Sequence, residues 1–386
     1  MSELFRKFPT SLYVHIPFCL KKCNYCDFCS KSSTDRGEHQ LYFKALEKEL
    51  LYYTNKLSPC GLKTIYFGGG TPSIVDLDLM ADFFNVLKKK VGICADAEIS
   101  LEANPGSISF SKLSGLRKIG FNRISIGVQS FSDYYLSILG RIHNSAQAVE
   151  ALTDAKRAGF DNVNLDLMFG LPGQVLGDWQ EDLAKACKLE PEHLSVYQLK
   201  IEPHTPWGKL EEEGLLKEFS DELAAEMLRE AKDRLKLAGF HNYELANYAK
   251  KERECRHNLV YWKYENYLGL GVSAHSLLND KRIINTGDLN KYIESLSKES
   301  SDFFEEEKLS RAEQLAEFMF MGLRLSEGIA EERFYRRFGS ELNSIYGDKI
   351  ELLCQKDLVK QEHKHLKLTE RGKFLGNLVF EEFLPD

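Results

Sequence analysis

Three cysteines crowd one short stretch, Cys19-Leu20-Lys21-Lys22-Cys23-Asn24-Tyr25-Cys26. Their C-x-x-x-C-x-x-C spacing lets three thiolates point inward from one loop, the requirement of a compact metal centre. A four-iron cluster held this way has three protein ligands and one open iron, unlike ferredoxin runs, whose irons are all capped by cysteine. Zinc sites instead pair two short hooks a dozen or more residues apart. Half a zinc site, or three free thiols on a surface loop, are the competing readings. The flanks favour the cluster. Ser11-Leu12-Tyr13-Val14-His15-Ile16-Pro17 is a short β-rich run that puts the cysteines on a loop at a strand's carboxyl end, and Tyr25 and Phe28 supply aromatic cover against water.

A chain of 386 residues, 43% hydrophobic and 28% charged, has material for two or three domains and a large core. Its net charge of −7 argues against broad electrostatic binding of nucleic acid. No apolar stretch approaches the roughly 20 residues that span a bilayer, and the first ten residues lack the apolar region of a signal peptide. A cytoplasmic location is therefore expected, in which the nine cysteines serve as metal ligands or buried thiols rather than disulfides. Cys60, Cys94, Cys187 and Cys354 stand singly and read as packing residues.

From residue 11 to about 203, short apolar runs alternate with amphipathic stretches, the pattern of a parallel α/β fold. Strands are expected at Leu12–Ile16, Thr64–Phe67, Ala97–Leu101, Arg123–Ile126, Asn162–Leu167 and Leu194–Leu199, with helices near 38–55, 76–90, 109–118, 145–158 and 177–188. Six units suit an open partial barrel, though pattern alone does not separate this from a doubly wound sheet. Residues 204–218 read as a linker, followed by a long helix near 219–238. From about 308 the pattern is three helices, a short strand pair and a helix, which suggests a winged-helix-like tail of structural or protein-binding role.

In a parallel barrel, ligands bind where the strands end. The first predicted strand ends at the cysteines and the second at Gly68-Gly69-Gly70-Thr71-Pro72, where missing side chains let backbone N–H groups approach a ligand. The third ends at Glu102-Ala103-Asn104-Pro105 and the fourth at Gly127-Val128-Gln129-Ser130. The fifth carries Asn164-Leu165-Asp166. A tight turn at the glycines and ordinary helix caps at the polar residues are the alternatives; their convergence on one rim favours a shared polar ligand. Arg141 is a lone cation placed to hold a carboxylate.

The cysteine run resembles the signature of the radical S-adenosylmethionine (SAM) superfamily, which implies a partial (β/α)6 barrel and SAM on the open iron. LYVHIPFC, GGGTPS, LEANPG, RISIGVQSF, LGRIH, NLDLMFGLPGQ and IEPHT are similar to the coproporphyrinogen dehydrogenase-like branch and, within it, to HemW-type haem chaperones, across about 11–383. The resemblance implies a [4Fe-4S] cluster on Cys19, Cys23 and Cys26. It implies SAM contacts from Tyr13, Gly69, Gly70, Thr71, Glu102, Gln129, Arg141 and Asp166. It divides the chain into a barrel (11–203), an extension (204–307) and an α-rich C-terminal domain (308–386). His257-Asn258-Leu259-Val260-Tyr261-Trp262 matches the HNxxYW pattern associated with haem, so His257 is the expected axial ligand, with His275 a second candidate; a core histidine is the alternative. Haem would be the cargo, and acceptor haemoproteins, membrane-associated respiratory enzymes among them, the partners.

Two departures from the dehydrogenase point to a carrier. Its fourth cysteine is expected two residues after the third, where this chain has Phe28, so Cys29 reads as a spare thiol. Its N-terminal extension is also missing, since only ten residues precede the first predicted strand. Anaerobic coproporphyrinogen III oxidation remains the rival function. Radical modification of tRNA is disfavoured by the acidic charge.

Overall fold

The computed structural model describes residues 7–216 and 219–385. Its centre is a nine-stranded sheet in the order Leu268–Leu270, Ser11–Ile16, Leu62–Gly69, Ile93–Ala103, Arg123–Gln129, Asn162–Phe169, His193–Gln198, Asn247–Ala249 and His241–Asn242. The first seven run parallel, and the last two close the edge antiparallel. Right-handed crossovers through helices are the ordinary way to join parallel neighbours. All six strands expected from the sequence are present and lie side by side in chain order, without the reversal of a doubly wound sheet, so the apolar runs do form a partial barrel.

The helices earn their places by burying one stripe each. Leu176–Lys188, for example, sinks Trp179, Leu183 and Ala186, and the Trp179 indole N–H donates to the Met227 carbonyl at 2.9 Å. That bond reaches the helix Asp221–Leu237, which packs on the barrel in turn.

The segment 204–307 is more closely joined to the barrel than the sequence suggested. It contributes three strands to the sheet, and Met227, Leu235, Tyr292 and Phe303 belong to the same apolar core as Phe8, Leu12 and Phe67. It also forms an antiparallel sheet of His275–Leu278, Lys281–Asn285 and Phe304–Lys308. The expected linker at 204–218 is corrected for its described part: Pro206–Glu212 is helical, with the Thr205 side chain accepting from the Gly208 N–H. Thr before Pro is a recognisable helix start. Gly208 is required there, because a Cβ would lie 2.3 Å from the Glu202 carbonyl oxygen. Residues 217 and 218 lie outside the described residues.

The C-terminal part has the expected helix order, Arg311–Leu323, Glu331–Phe338 and Leu342–Gln355, then the strand pair Val359–Glu362 and His365–Leu368. A third short strand, Ile329–Ala330, joins that pair. A separate core of Phe318, Phe334, Phe338, Leu342 and Phe383 holds this winged-helix-like unit together.

Glu49 fastens the extension to the barrel. Fully buried on the helix Arg36–Thr54, it accepts from the Gly271 N–H (2.8 Å), Asn285 Nδ2 (2.7 Å) and Tyr292 hydroxyl (2.5 Å). Burial outweighs these donors and pushes its pKa from 4.5 up to about 7. A carboxyl raised on folding stabilises in its neutral form, so this contribution is whole below pH 4.5 and is lost as pH rises through about 7. Thermal unfolding followed across that window is expected to show a shallower pH dependence in Glu49→Gln than in the unmodified protein.

Candidate functional site

The cysteine loop is fastened to the barrel rim at several points. Phe18–Cys19 pairs with Lys31–Ser32, closing the loop at its base. The glycine turn then locks against it: the Gly70 N–H donates to the Ile16 carbonyl and the Thr71 N–H to that of Phe18, each at 2.8 Å. A Cβ on Gly70 would stand 2.7 Å from the Phe18 oxygen and 3.1 Å from Cys19 Sγ. On the far side, Asn24 donates to Leu139 and Ile138 carbonyls (3.2 and 3.0 Å), and its own carbonyl accepts from the Trp207 N–H (3.2 Å). Tyr25 packs 6.1 Å from the Trp207 ring. Asn24 and Trp207 were not picked out from the sequence; a Thr-Pro helix start at 205–206 is the signal that could have marked the segment carrying Trp207.

Cys19, Cys23 and Cys26 line one cleft of about 320 Å³. Gly69, Gly70, Thr71, Glu102, Gln129, Arg141 and Asp166 form its other walls, as the rim argument required. Arg141 Nη1 lies 3.4 Å from Cys23 Sγ while Nη2 donates to the Gly127 carbonyl at 2.5 Å. Thr71 Oγ1 lies 3.5 Å from Cys19 Sγ. Gln129 takes a left-handed φ of 68° where the pairing register shifts between Gly127 and Gln129. Such irregularities re-aim side chains at functional rims.

Two carboxyls face this cleft. Glu102 accepts from the Tyr66 hydroxyl (2.8 Å) and the Gly69 N–H (3.0 Å), and burial pushes its pKa up to about 7. Asp166 accepts from Ser125 (3.0 Å) and Asn164 (2.8 Å), and burial likewise raises it. Among the described residues no three His, Cys, Asp or Glu side chains close on a single ion. A four-iron cube takes one thiolate per iron, so its ligands stand further apart than those of one ion. Three thiols facing one cleft, two of them approached by Arg141 and Thr71 donors, fit that donor set.

A second cavity, of about 520 Å³, adjoins the first and shares Phe28, Gly69 and Glu102 with it. Tyr13, Tyr261, Trp262, Tyr264, Tyr267, Leu277 and Met321 make it largely aromatic and apolar, and His275, Arg282 and Cys29 supply polar edges. Tyr13, expected among the SAM contacts, lines this cavity beside the shared Gly69 and Glu102, its hydroxyl donating to His15 Nδ1 at 3.0 Å. The other ring nitrogen of His15 donates to the Cys29 carbonyl at 2.8 Å, fixing Cys29 on the second cavity and outside the lining of the thiol cleft.

The reading of His257 as a haem-facing ligand is corrected. His257 is 0% exposed and lines neither cavity. Its Nδ1 is bonded to Thr64 Oγ1 and its Nε2 to the Tyr261 hydroxyl, both at 2.8 Å, leaving no free lone pair for iron. It sits on the helix Arg256–Trp262, whose first N–H groups, on Arg256 and His257, both donate to the Glu98 carboxylate at 3.0 Å. A carboxylate at that end satisfies donors that a helix leaves unpaired.

The barrel and its thiol-rimmed cleft define a radical SAM protein, and a model of the radical SAM superfamily matches residues 13–186. A model of the HemN C-terminal domain matches residues 309–375. The heme chaperone HemW of Bacillus subtilis (strain 168) is 36% identical over 97% of this chain and 99% of its own. That of Escherichia coli (strain K12) is 34% identical over 98% and 99%. The mitochondrial radical S-adenosyl methionine domain-containing protein 1 of Danio rerio is 33% identical over 97% and 86%. The chain belongs to the HemW family. Its fold matches the E. coli coproporphyrinogen III oxidase HemN with a TM-score of 0.85 at 24% identity, over 98% of this chain and 90% of that one. Membership of the superfamily implies a [4Fe-4S] cluster and SAM.

Serine at Cys19, Cys23 or Cys26 is expected to lower bound iron and sulfide after anaerobic reconstitution, while Cys29→Ser loads normally. Loss of the cluster in Cys29→Ser with retention in Cys26→Ser would reverse the ligand assignment.

Proposed function

We propose that this protein is a haem carrier, which binds haem in the aromatic cavity and passes it to acceptor haemoproteins. The observation that carries this reading is the second cavity itself: a chamber apolar enough for a flat macrocycle, set against the thiol cleft but distinct from it. His275 is its best iron ligand. It is partly exposed on the wall, and the half-burial of its ring, with the nearby Arg282 charge, lowers its pKa from 6.5, keeping the imidazole neutral and its lone pair free. Arg282 adds a cationic edge, steadied by Glu317 at 2.6 Å and the Tyr267 hydroxyl at 3.1 Å.

In the thiol cleft, Cys19, Cys23 and Cys26 would hold the cluster. Glycine-turn N–H groups, Glu102, Gln129, Arg141 and Asp166 would hold SAM. Bound together, these groups supply one-electron chemistry. The residues around them orient the ligand, exclude water and offset its charge. The names of the relatives and the adjoining cavity support carriage over turnover; the HemN match supports the fold alone.

Haem titrated into cluster-loaded protein is expected to give a Soret band that shifts or disappears in His275→Ala and survives in His257→Ala. An unchanged band in His275→Ala would move the iron ligand elsewhere. Anaerobic incubation with SAM, a reductant and coproporphyrinogen III is expected to yield no decarboxylated product; product would replace the carrier reading with the oxidase. For SAM, removing one partner of a charge-assisted bond typically costs about 1.5–3 kcal/mol, or roughly ten- to a hundredfold in affinity. Calorimetry is expected to find such losses in Gln129→Ala and Asp166→Ala, and undiminished affinity in both would place SAM elsewhere.

A further inference from the structure

The helix Arg256–Trp262 lies between the two chambers and contributes to both. Asn258 lines the thiol cleft, whereas Tyr261 and Trp262 wall the aromatic cavity. His257 faces neither, yet it stands at the middle of an unbroken file of contacts that joins them. In the cleft, Glu102 accepts from the Tyr66 hydroxyl at 2.8 Å. The Tyr66 ring stacks on the His257 imidazole, with centroids 5.4 Å apart and planes 24° from parallel. His257 Nε2 then meets the Tyr261 hydroxyl at 2.8 Å, and Nδ1 meets Thr64 Oγ1 at the same distance. Thr64 and His257 are 3% and 0% exposed, so solvent does not relax the arrangement.

We infer that His257 is a positioning residue that couples occupancy of the thiol cleft to occupancy of the aromatic cavity. The inference rests on the reading that the cavity takes haem and the cleft takes SAM. A neutral imidazole has one N–H and one lone pair, so the file has two arrangements of equal charge. With the proton on Nδ1, the ring donates to Thr64 and accepts from Tyr261, whose hydroxyl proton is then consumed inside the file. With the proton on Nε2, the ring donates to Tyr261, whose own proton is freed for another acceptor. Burial pushes the His257 pKa down to about 3, so the ring stays neutral and the choice is between tautomers. A ligand that engages Glu102 changes what Tyr66 and the stacked ring rest against, and favours one arrangement. Haem against Tyr261 favours one as well. By linkage, whatever SAM does to haem affinity, haem does equally to SAM affinity.

The test uses the full chain loaded with cluster. Haem is titrated by its Soret band with and without SAM, and SAM by calorimetry with and without haem. The unmodified protein is expected to show the same coupling factor in both directions, within the usual range of about 5- to 150-fold. Thr64 lines neither chamber, so Thr64→Val should still bind each ligand alone but bring the factor to one, and Thr64→Ser, which keeps the hydroxyl, should restore it. A merely structural role would change stability without this rescue pattern. Should Thr64→Val fail to fold, Thr64→Ala removes the same hydroxyl without adding bulk, at a position that lines neither chamber, and should also abolish the coupling. A factor of one in the unmodified protein, or an undiminished factor in the variants, overturns the inference while leaving haem carriage in place. Absence of haem uptake by the unmodified protein overturns both.

Discussion

The backbone of the glycine turn pressed against the cysteine loop is the contact on which the site depends. Gly70 approaches Phe18 and Cys19 so closely that a single added carbon would collide with backbone oxygen, and Gly69 sits at φ 112° with no room for a side chain beside the His15 ring. Because the two loops leave adjacent parallel strands, their hydrogen bonds bring the thiols and the turn's N–H groups to one rim. The remaining walls follow from the same geometry. Parallel strands put all their carboxyl ends on one side, so Glu102, Gln129 and Asp166 face the cleft without further arrangement.

The opposite requirement is that so open a barrel be closed elsewhere. Extension residues do this with buried polar anchors as well as apolar packing. Glu49 receives three donors from the extension, and Glu98 receives the first N–H groups of the helix Arg256–Trp262. Each carboxyl replaces lost hydration with directed donors, which limits the cost of burying it. These contacts also fix register: the extension can dock only where its N–H groups meet the two carboxyls. The second cavity is a product of that docking, since its walls come from the barrel, the extension and Met321 of the C-terminal domain.

How much was legible follows from the range of the interactions. The thiol spacing, the glycine turn and the strand ends are local patterns, and the cleft assembled from them is the one the sequence indicated. His257 was misplaced because its neighbours are remote in sequence. In HNxxYW, His257 and Tyr261 are four apart and share a helical face, but the aromatic residues read equally well as a cavity wall or a packed core. Thr64 and Tyr66, on a strand nearly two hundred residues earlier, decide between them by occupying one ring edge and one face, while Tyr261 holds the other edge. The linker at 204–218 was misread for a related reason. The burial of Trp207 and the close packing of Gly208 determine its structure, and neither is evident from local composition.

Two chambers with one common wall constrain how such a protein can work. A ligand in the thiol cleft and another in the aromatic cavity would each touch Glu102, Gly69 or Phe28, so neither can bind in full isolation from the other. Phe28 is the least restrained of the three, 66% exposed and lying two residues after Cys26 and one before Cys29. Glu102 is the opposite, held by Tyr66 and Gly69 and raised in pKa by burial. The wall therefore combines an exposed aromatic ring with a fixed, readily neutralised carboxyl. Such a partition separates the chambers without much buried charge, and its exposed ring leaves the aromatic cavity open on that side.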